Sequence, residues 1–279
     1  MKNKVSCFFK AFLPLIIAVA LQFLVTLPLL EGIILKVLFS GFRNNTSIFD
    51  DLSDTLTNLS STAIISILYS IASIIVFGIW AHNLNKRREF SFGNGFNIRA
   101  ILPMIVMALS LQFAAEFITE FISSVNPGAY EYYEELIKST GITSGGIITV
   151  ILVIYGACLA PISEELIFRN ITLRYARIAL PFWLANIMQA ALFALFHFNL
   201  IQGSYAFVVG MFCGYIYHKS GKIKSSITFH IIFNLLSVAV ANLFIYVAEF
   251  ATILKLIIFI GCMIVALLCC RWYAKNLSV

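Results

Sequence analysis

An all-α polytopic membrane protein with about eight transmembrane helices is the fold this sequence predicts, on three observations. Hydrophobic residues make up 61% of the 279-residue chain and charged residues only 11%, and mean hydropathy is +0.95. A water-soluble domain of this length does not reach such values. The apolar residues fall into about eight runs, each near the roughly 20 residues that a helix needs to cross a hydrocarbon core of about 30 Å. Finally, Lys and Arg gather between alternate runs, where the positive-inside rule puts them. A single integral membrane domain over 1–279 follows, since the gaps hold no soluble domain.

The spans read as 11–30, 61–81, 100–122, 145–169, 182–199, 205–218, 225–246 and 252–270. The first follows Lys2, Lys4 and Lys10, yet it is longer than a signal-peptide core and no small-x-small cleavage site follows, so it reads as a retained helix. The fourth continues past 169, because Ile171, Leu173 and Tyr175 stay apolar while Arg174 and Arg177 are expected to snorkel to the headgroups. Lys86, Arg87 and Arg88 follow the second span, Lys219, Lys222 and Lys224 separate the sixth from the seventh, and Arg271 and Lys275 follow the last. With eight spans these groups share one face, which makes this a multi-pass cell-membrane protein with both termini cytoplasmic. The other face receives Asp50, Asp51 and Asp54, then Tyr130 to Glu135, then Asn199 to Ser204 and Glu249, with Lys36, Arg43 and Lys138 weakening the bias. Both acidic loops read as short interfacial helices.

The net charge of +6 sits at span ends, so membrane lipids rather than nucleic acid are the expected partner. Cys7, Cys158, Cys213, Cys262, Cys269 and Cys270 show neither CxxC nor a pairing pattern and read as small core residues.

The chemistry begins with Glu164 and Glu165, inside the apolar stretch ILVIYGACLAPISEELIFRN. A carboxylate at membrane depth costs on the order of 3 kcal/mol by insertion scales, so these acids need partners. Glu165 and Arg169 stand i,i+4 with the acid first, the better orientation for a helical ion pair, and their role reads as structural support. Glu164 is turned about 100° away, toward the face of Phe168 and Pro161. Pro161 removes a backbone hydrogen bond, a defect tolerated at membrane depth beside protein or a water-filled cavity. A carboxylate beside water suits a general base. His197 follows in the fifth span, and His230 and Asn234, again i,i+4, project together from the seventh. Counting helical rise from the span ends brings Glu164, His197, His230 and Asn234 to one buried layer between the fourth, fifth and seventh spans. It also sets His230 nearer the basic face, which predicts substrate access from that side. The set can activate water, hold it, protonate a leaving amine and donate to a tetrahedral oxyanion.

At these residues the chain resembles the CAAX prenyl protease and bacteriocin-processing (CPBP, or Abi) intramembrane peptidases. The matching pieces are 164-EELIFR-169 for EExxxR, 193-FALFH-197 for FxxxH and 230-HIIFN-234 for HxxxN, in the family's order. The resemblance covers about 145–245, the expected catalytic core. It implies an eight-helix peptidase in which Glu164 activates water, His197 partners it on that water, His230 and Asn234 stabilise the oxyanion, and Glu165 and Arg169 brace the helix. Asn170 departs from the Gly that many relatives carry, which touches local packing only.

Three other readings stand beside this one. Zinc is a mechanistic rival, since Glu164, His197 and His230 offer three N/O ligands and an open position; HExxH is absent, and the resemblance favours a metal-independent mechanism. A bacteriocin self-immunity or peptide-binding protein would need no proteolysis. A proton-coupled transporter could use Glu164 and the histidines as a relay, but no inverted repeat supports it. His82 and His218 sit beside basic clusters and receive no role. A hydrophobic or lipidated peptide is the expected substrate.

Overall fold

The computed structural model describes residues 3–44, 59–86, 97–140, 147–248 and 252–277, and every regular element among them is helical. A short α1 (Lys4–Lys10), capped by Asn3 accepting from Val5 and Ser6 N–H, leads into the long α2 (Leu13–Asn44). Then come α3 (Leu59–Lys86), α4 (Ile101–Val125), α5 (Pro127–Thr140) and the compound helix α6 over 147–179. The chain closes with α7 (Phe182–Phe196), α8 (Leu200–Ser220), α9 (Ile223–Ala248) and α10 (Thr252–Leu277).

Seven helices among the described residues are long and apolar enough to cross a membrane, and α7, at 15 residues, is a shorter apolar helix. The eight expected runs therefore survive as seven long helices and one short one. The fifth run stops at Phe196 instead of 199 because the chain turns at Phe198, whose φ of 54° lies in the left-handed region. The next helix starts at Leu200, earlier than expected, because the Asn199 side chain accepts from Gln202 N–H at 2.7 Å and caps it. The acidic segment 130–135 lies in α5, a helix as expected, whose start is fixed by Asn126 Oδ1 accepting from Ala129 N–H at 3.1 Å. The acidic loop holding Asp50, Asp51 and Asp54, and Arg87 and Arg88, lie outside the described residues.

One end of the bundle gathers the basic segment ends. There Ala11, Leu173, Ala176, Ala185 and Tyr217 form one buried cluster, which brings the positions next to Lys10, Arg177 and Lys219 to a common face. Arg177 is exposed on it, with Nη1 3.0 Å from His218 Nδ1. Arg174 does not snorkel. Only 3% exposed, it donates from Nη1 to Asn85 Oδ1 at 2.7 Å and to Asn170 Oδ1 at 2.9 Å, so two carboxamides, one from α3 and one from its own helix, hold it inside the protein. Asn170, the departure from the family pattern, thus helps hold the Arg174 side chain that links α6 to Asn85 of α3.

The pair α7 and α8 packs through small residues, as membrane helices do when backbones approach closely. A Cβ on Gly214 would collide with Asn186 Oδ1, and one on Gly210 would press on Ala190 and Phe193. Asn186 donates to the Met211 carbonyl at 3.0 Å and Gln189 to that of Gly210 at 2.9 Å. These bonds fix the helix that carries His197.

Candidate active site

The site is built on two irregular turns in α6. A π-helical stretch spans Tyr155–Leu159 and a second spans Leu166–Thr172, on either side of the α-helical turn Ala160–Glu165. In the first, Ala160 N–H reaches back five residues to the Tyr155 carbonyl. Continuing that register, residue 161 should donate to Gly156, but Pro161 has no N–H. Asn234 of α9 supplies the donor: its Nδ2 bonds the Gly156 carbonyl at 2.8 Å. Such π turns are frequent at functional positions. Here one opens the backbone next to Glu164 and ties α6 to α9.

Glu164 and Glu165 diverge as the helical geometry requires. Glu165 and Arg169 are completely buried, with Oε1 2.9 Å from Nη1, so the expected ion pair is present. Glu165 has further partners: Ser226 Oγ–H donates to its Oε2, His230 Nδ1 stands 2.9 Å from Oε1, and the Cys213 thiol bonds it as well. A carboxylate only accepts, so Nδ1 carries the proton and the His230 ring is oriented by Glu165. The other ring nitrogen, Nε2, faces Glu164 at 3.6 Å from its Oε2. Glu164 is 14% exposed and lines a cavity. Phe168 does not share its face: the second π stretch shifts the register, and Phe168 is buried against Phe193 and Phe196.

His197 terminates α7. Its Nδ1 is 2.9 Å from the Phe193 carbonyl, which can only accept, so Nε2 is left with its lone pair on the cavity side. The left-handed Phe198 next to it costs about 1–2 kcal/mol for a residue with a Cβ. That strain turns the chain just after His197. Phe193 is the common wall, with Arg169 stacked 4.4 Å from its ring centroid and both histidines edge-on to it.

The cavity, about 790 Å³, brings Glu164, His197, His230 and Asn234 together as the sequence layer predicts. Its direction is opposite to the expected one. The remaining lining comes from the outer halves of the helices, those turned away from the basic face: Gln112 to Thr119 of α4, Leu152 to Ala160 of α6, Gln202 to Val209 of α8, and Tyr130 and Tyr133 of α5. Toward the basic face the site is closed by Glu165, Arg169, Cys213, Ile216, Ser226 and Phe229, all without exposed surface. Helical rise correctly sets His230 near that face, but access depends on packing, and the packing seals the floor.

Sequence reasoning overlooked Ser226, although it stands four residues before His230 in a stripe that continues to Asn234. It also passed over Cys213, whose sulfur lies with donor atoms of Glu165 and His230 within 4.8 Å of one another. That trio, rather than Glu164, His197 and His230, is the donor group that converges among the described residues, and the Arg169 cation paired to Glu165 makes it a poor seat for a dication.

Residues 146–236, about a third of the chain, match the family model described as Type II CAAX prenyl endopeptidase Rce1-like. The match contains all six residues singled out above and bears out the resemblance to the CPBP peptidases. No curated protein and no solved structure matches the chain. Over this segment the chain is similar to a family of CAAX-type prenyl endopeptidases.

Proposed function

We propose that this chain is an intramembrane endopeptidase that hydrolyses a peptide bond in a hydrophobic, membrane-associated or lipidated peptide, with Glu164 activating the water. The observation that carries the proposal is the pairing of one sealed carboxylate with one open one. Glu165 is held by Arg169, Ser226 and His230, whereas Glu164 has a cavity in front of it. The sealed acid positions and the open acid reacts.

In this reading a water between Glu164 and His197 Nε2 gives its proton to Glu164 as its oxygen attacks the peptide carbonyl. The oxyanion is stabilised by His230, which must then carry a proton on Nε2 as well as on Nδ1, and by the second N–H of Asn234, the first being committed to Gly156. Glu164 passes its proton to the leaving amine. The donors are held by Glu165 and Gly156 before any substrate arrives, so they need no reorganisation in the transition state.

The basic face is read as cytoplasmic by the positive-inside rule, with both termini there. The cavity mouth beside α5 then faces the exterior, and peptide is received from that side. The test of the function is proteolysis by purified protein in lipid nanodiscs. New peptide termini formed by wild type and absent with Glu164→Gln support the reading; identical products from both overturn it. Glu164→Gln cells lacking cleavage but keeping resistance to a bacteriocin would instead favour the self-immunity reading.

A further inference from the structure

The cavity extends past the catalytic layer toward α5, where Gln112, Glu116, Thr119, Tyr130 and Tyr133 line it. Glu116 is the second carboxylate in this space after Glu164. The charges around it are otherwise matched: Glu120, one turn on, pairs with Lys255 of α10, and Glu134 pairs with Lys138 at 3.5 Å. Glu116 has no ion-pair partner within 4.0 Å among the described residues. The neutral groups nearby are occupied too. Gln112 Nε2 donates to the Phe233 carbonyl at 2.6 Å, and the Tyr133 hydroxyl is bonded to Tyr205. Lys255 also acts on Glu116 electrostatically but is ion-paired with Glu120, so the Glu116 carboxylate, inside a membrane helix and facing a cavity, is left only partly compensated. A bound molecule can bring that compensation.

We infer that Glu116 is a specificity residue that binds a Lys or Arg side chain of the substrate at a fixed number of residues from the cleaved bond. This rests on the peptidase reading, because it places the charge in the channel that leads to Glu164. The aromatic lining gives the rest of the channel its preference for apolar residues, and the acid supplies the register. A peptide with a basic residue at the matching position is held with its scissile bond at Glu164; one with an acid there is repelled.

Two measurements test it. In the first, purified wild type, Glu116→Gln and Glu116→Lys are given a proteome-derived peptide library, and the products are sequenced. Wild type should enrich Lys and Arg at one position relative to the cut, Glu116→Gln should lose that enrichment, and Glu116→Lys should favour Asp and Glu there. On a peptide drawn from the preferred set, Glu116→Gln should raise KM about tenfold, the ratio that corresponds to about 1.4 kcal/mol. Identical profiles for all three proteins overturn the inference. In the second, fluorescence anisotropy follows short labelled hydrophobic peptides, with one Lys scanned along them, binding to Glu164→Gln protein. One Lys register should bind about tenfold more tightly than its norleucine counterpart, and that preference should vanish in Glu164→Gln/Glu116→Gln. An unchanged preference overturns the inference even if no protein form cleaves, whereas wild type that cleaves nothing overturns the peptidase reading alone.

Discussion

Removing the amide of Asn234 should destabilise the protein through a carbonyl on a different helix, and a second substitution should repair it. In Asn234→Ala the Gly156 carbonyl loses the donor that stands 2.8 Å away. An unpaired buried carbonyl costs about 1–3 kcal/mol; since Gly156 borders the cavity, where water can substitute, the low end near 1 kcal/mol applies. For a chain of this size that lowers Tm by about 2 °C. In Pro161→Ala the missing backbone N–H returns and Gly156 has a donor within its own helix. The double variant should therefore lose much less than the two single losses combined, with a coupling of about 1 kcal/mol. The methyl-sized space left by Asn234→Ala is common to both backgrounds and cancels. The assay is thermal unfolding of the four proteins in one detergent, followed by intrinsic fluorescence. An Asn234→Ala penalty of the same size in the wild-type and the Pro161→Ala backgrounds refutes the argument, and with it the view that the proline and the asparagine form one device.

Glu164→Gln should retain the wild-type Tm and lose cleavage at least a hundredfold, the usual weight of a general base, as measured with a quenched peptide. Glu165→Gln should instead lower stability by about 3 kcal/mol or more, because the buried Arg169 is left uncompensated; an unchanged unfolding curve would contradict the pairing seen here. If water is activated without metal, activity survives o-phenanthroline; reversible loss restored by zinc would turn His197, His230 and Glu164 into ligands. For orientation, in a background without native cysteines, Ser124→Cys, exposed at the α5 end, should react with an impermeant maleimide in intact cells, and Arg177→Cys only after lysis. The reverse pattern would turn the cavity toward the cytoplasm.

What could be read from residues alone follows from what spacing encodes. The i,i+4 relations Glu165–Arg169 and His230–Asn234 are local, so the buried pair and the common face of α9 were legible. The class of fold followed from hydropathy, and the shared face of the basic ends from their alternation. The π turns were not, because inserting a residue into a helical turn leaves no periodic trace; only Pro161 hinted at the first, and nothing marked the second, which removed Phe168 from the cavity. Burial of Arg174 depended on Asn85, a partner 89 positions away. The direction of the cavity is a property of the packed bundle, and no single helix carries it.

On the peptidase reading proposed above, the sealed floor beneath Glu165 and Arg169 has a consequence for turnover. Among the described residues the cavity extends only away from that floor, so the attacking water and both fragments would be exchanged on the α5 side. The fragments would then leave in succession, the one lying nearer the α5 side first. A long substrate that threads in from one end would leave its inner piece behind as a plug until the outer piece has departed. On that reading, Glu164 would experience the acidity of the compartment on the α5 side, from which the buried residues of the floor separate the other face.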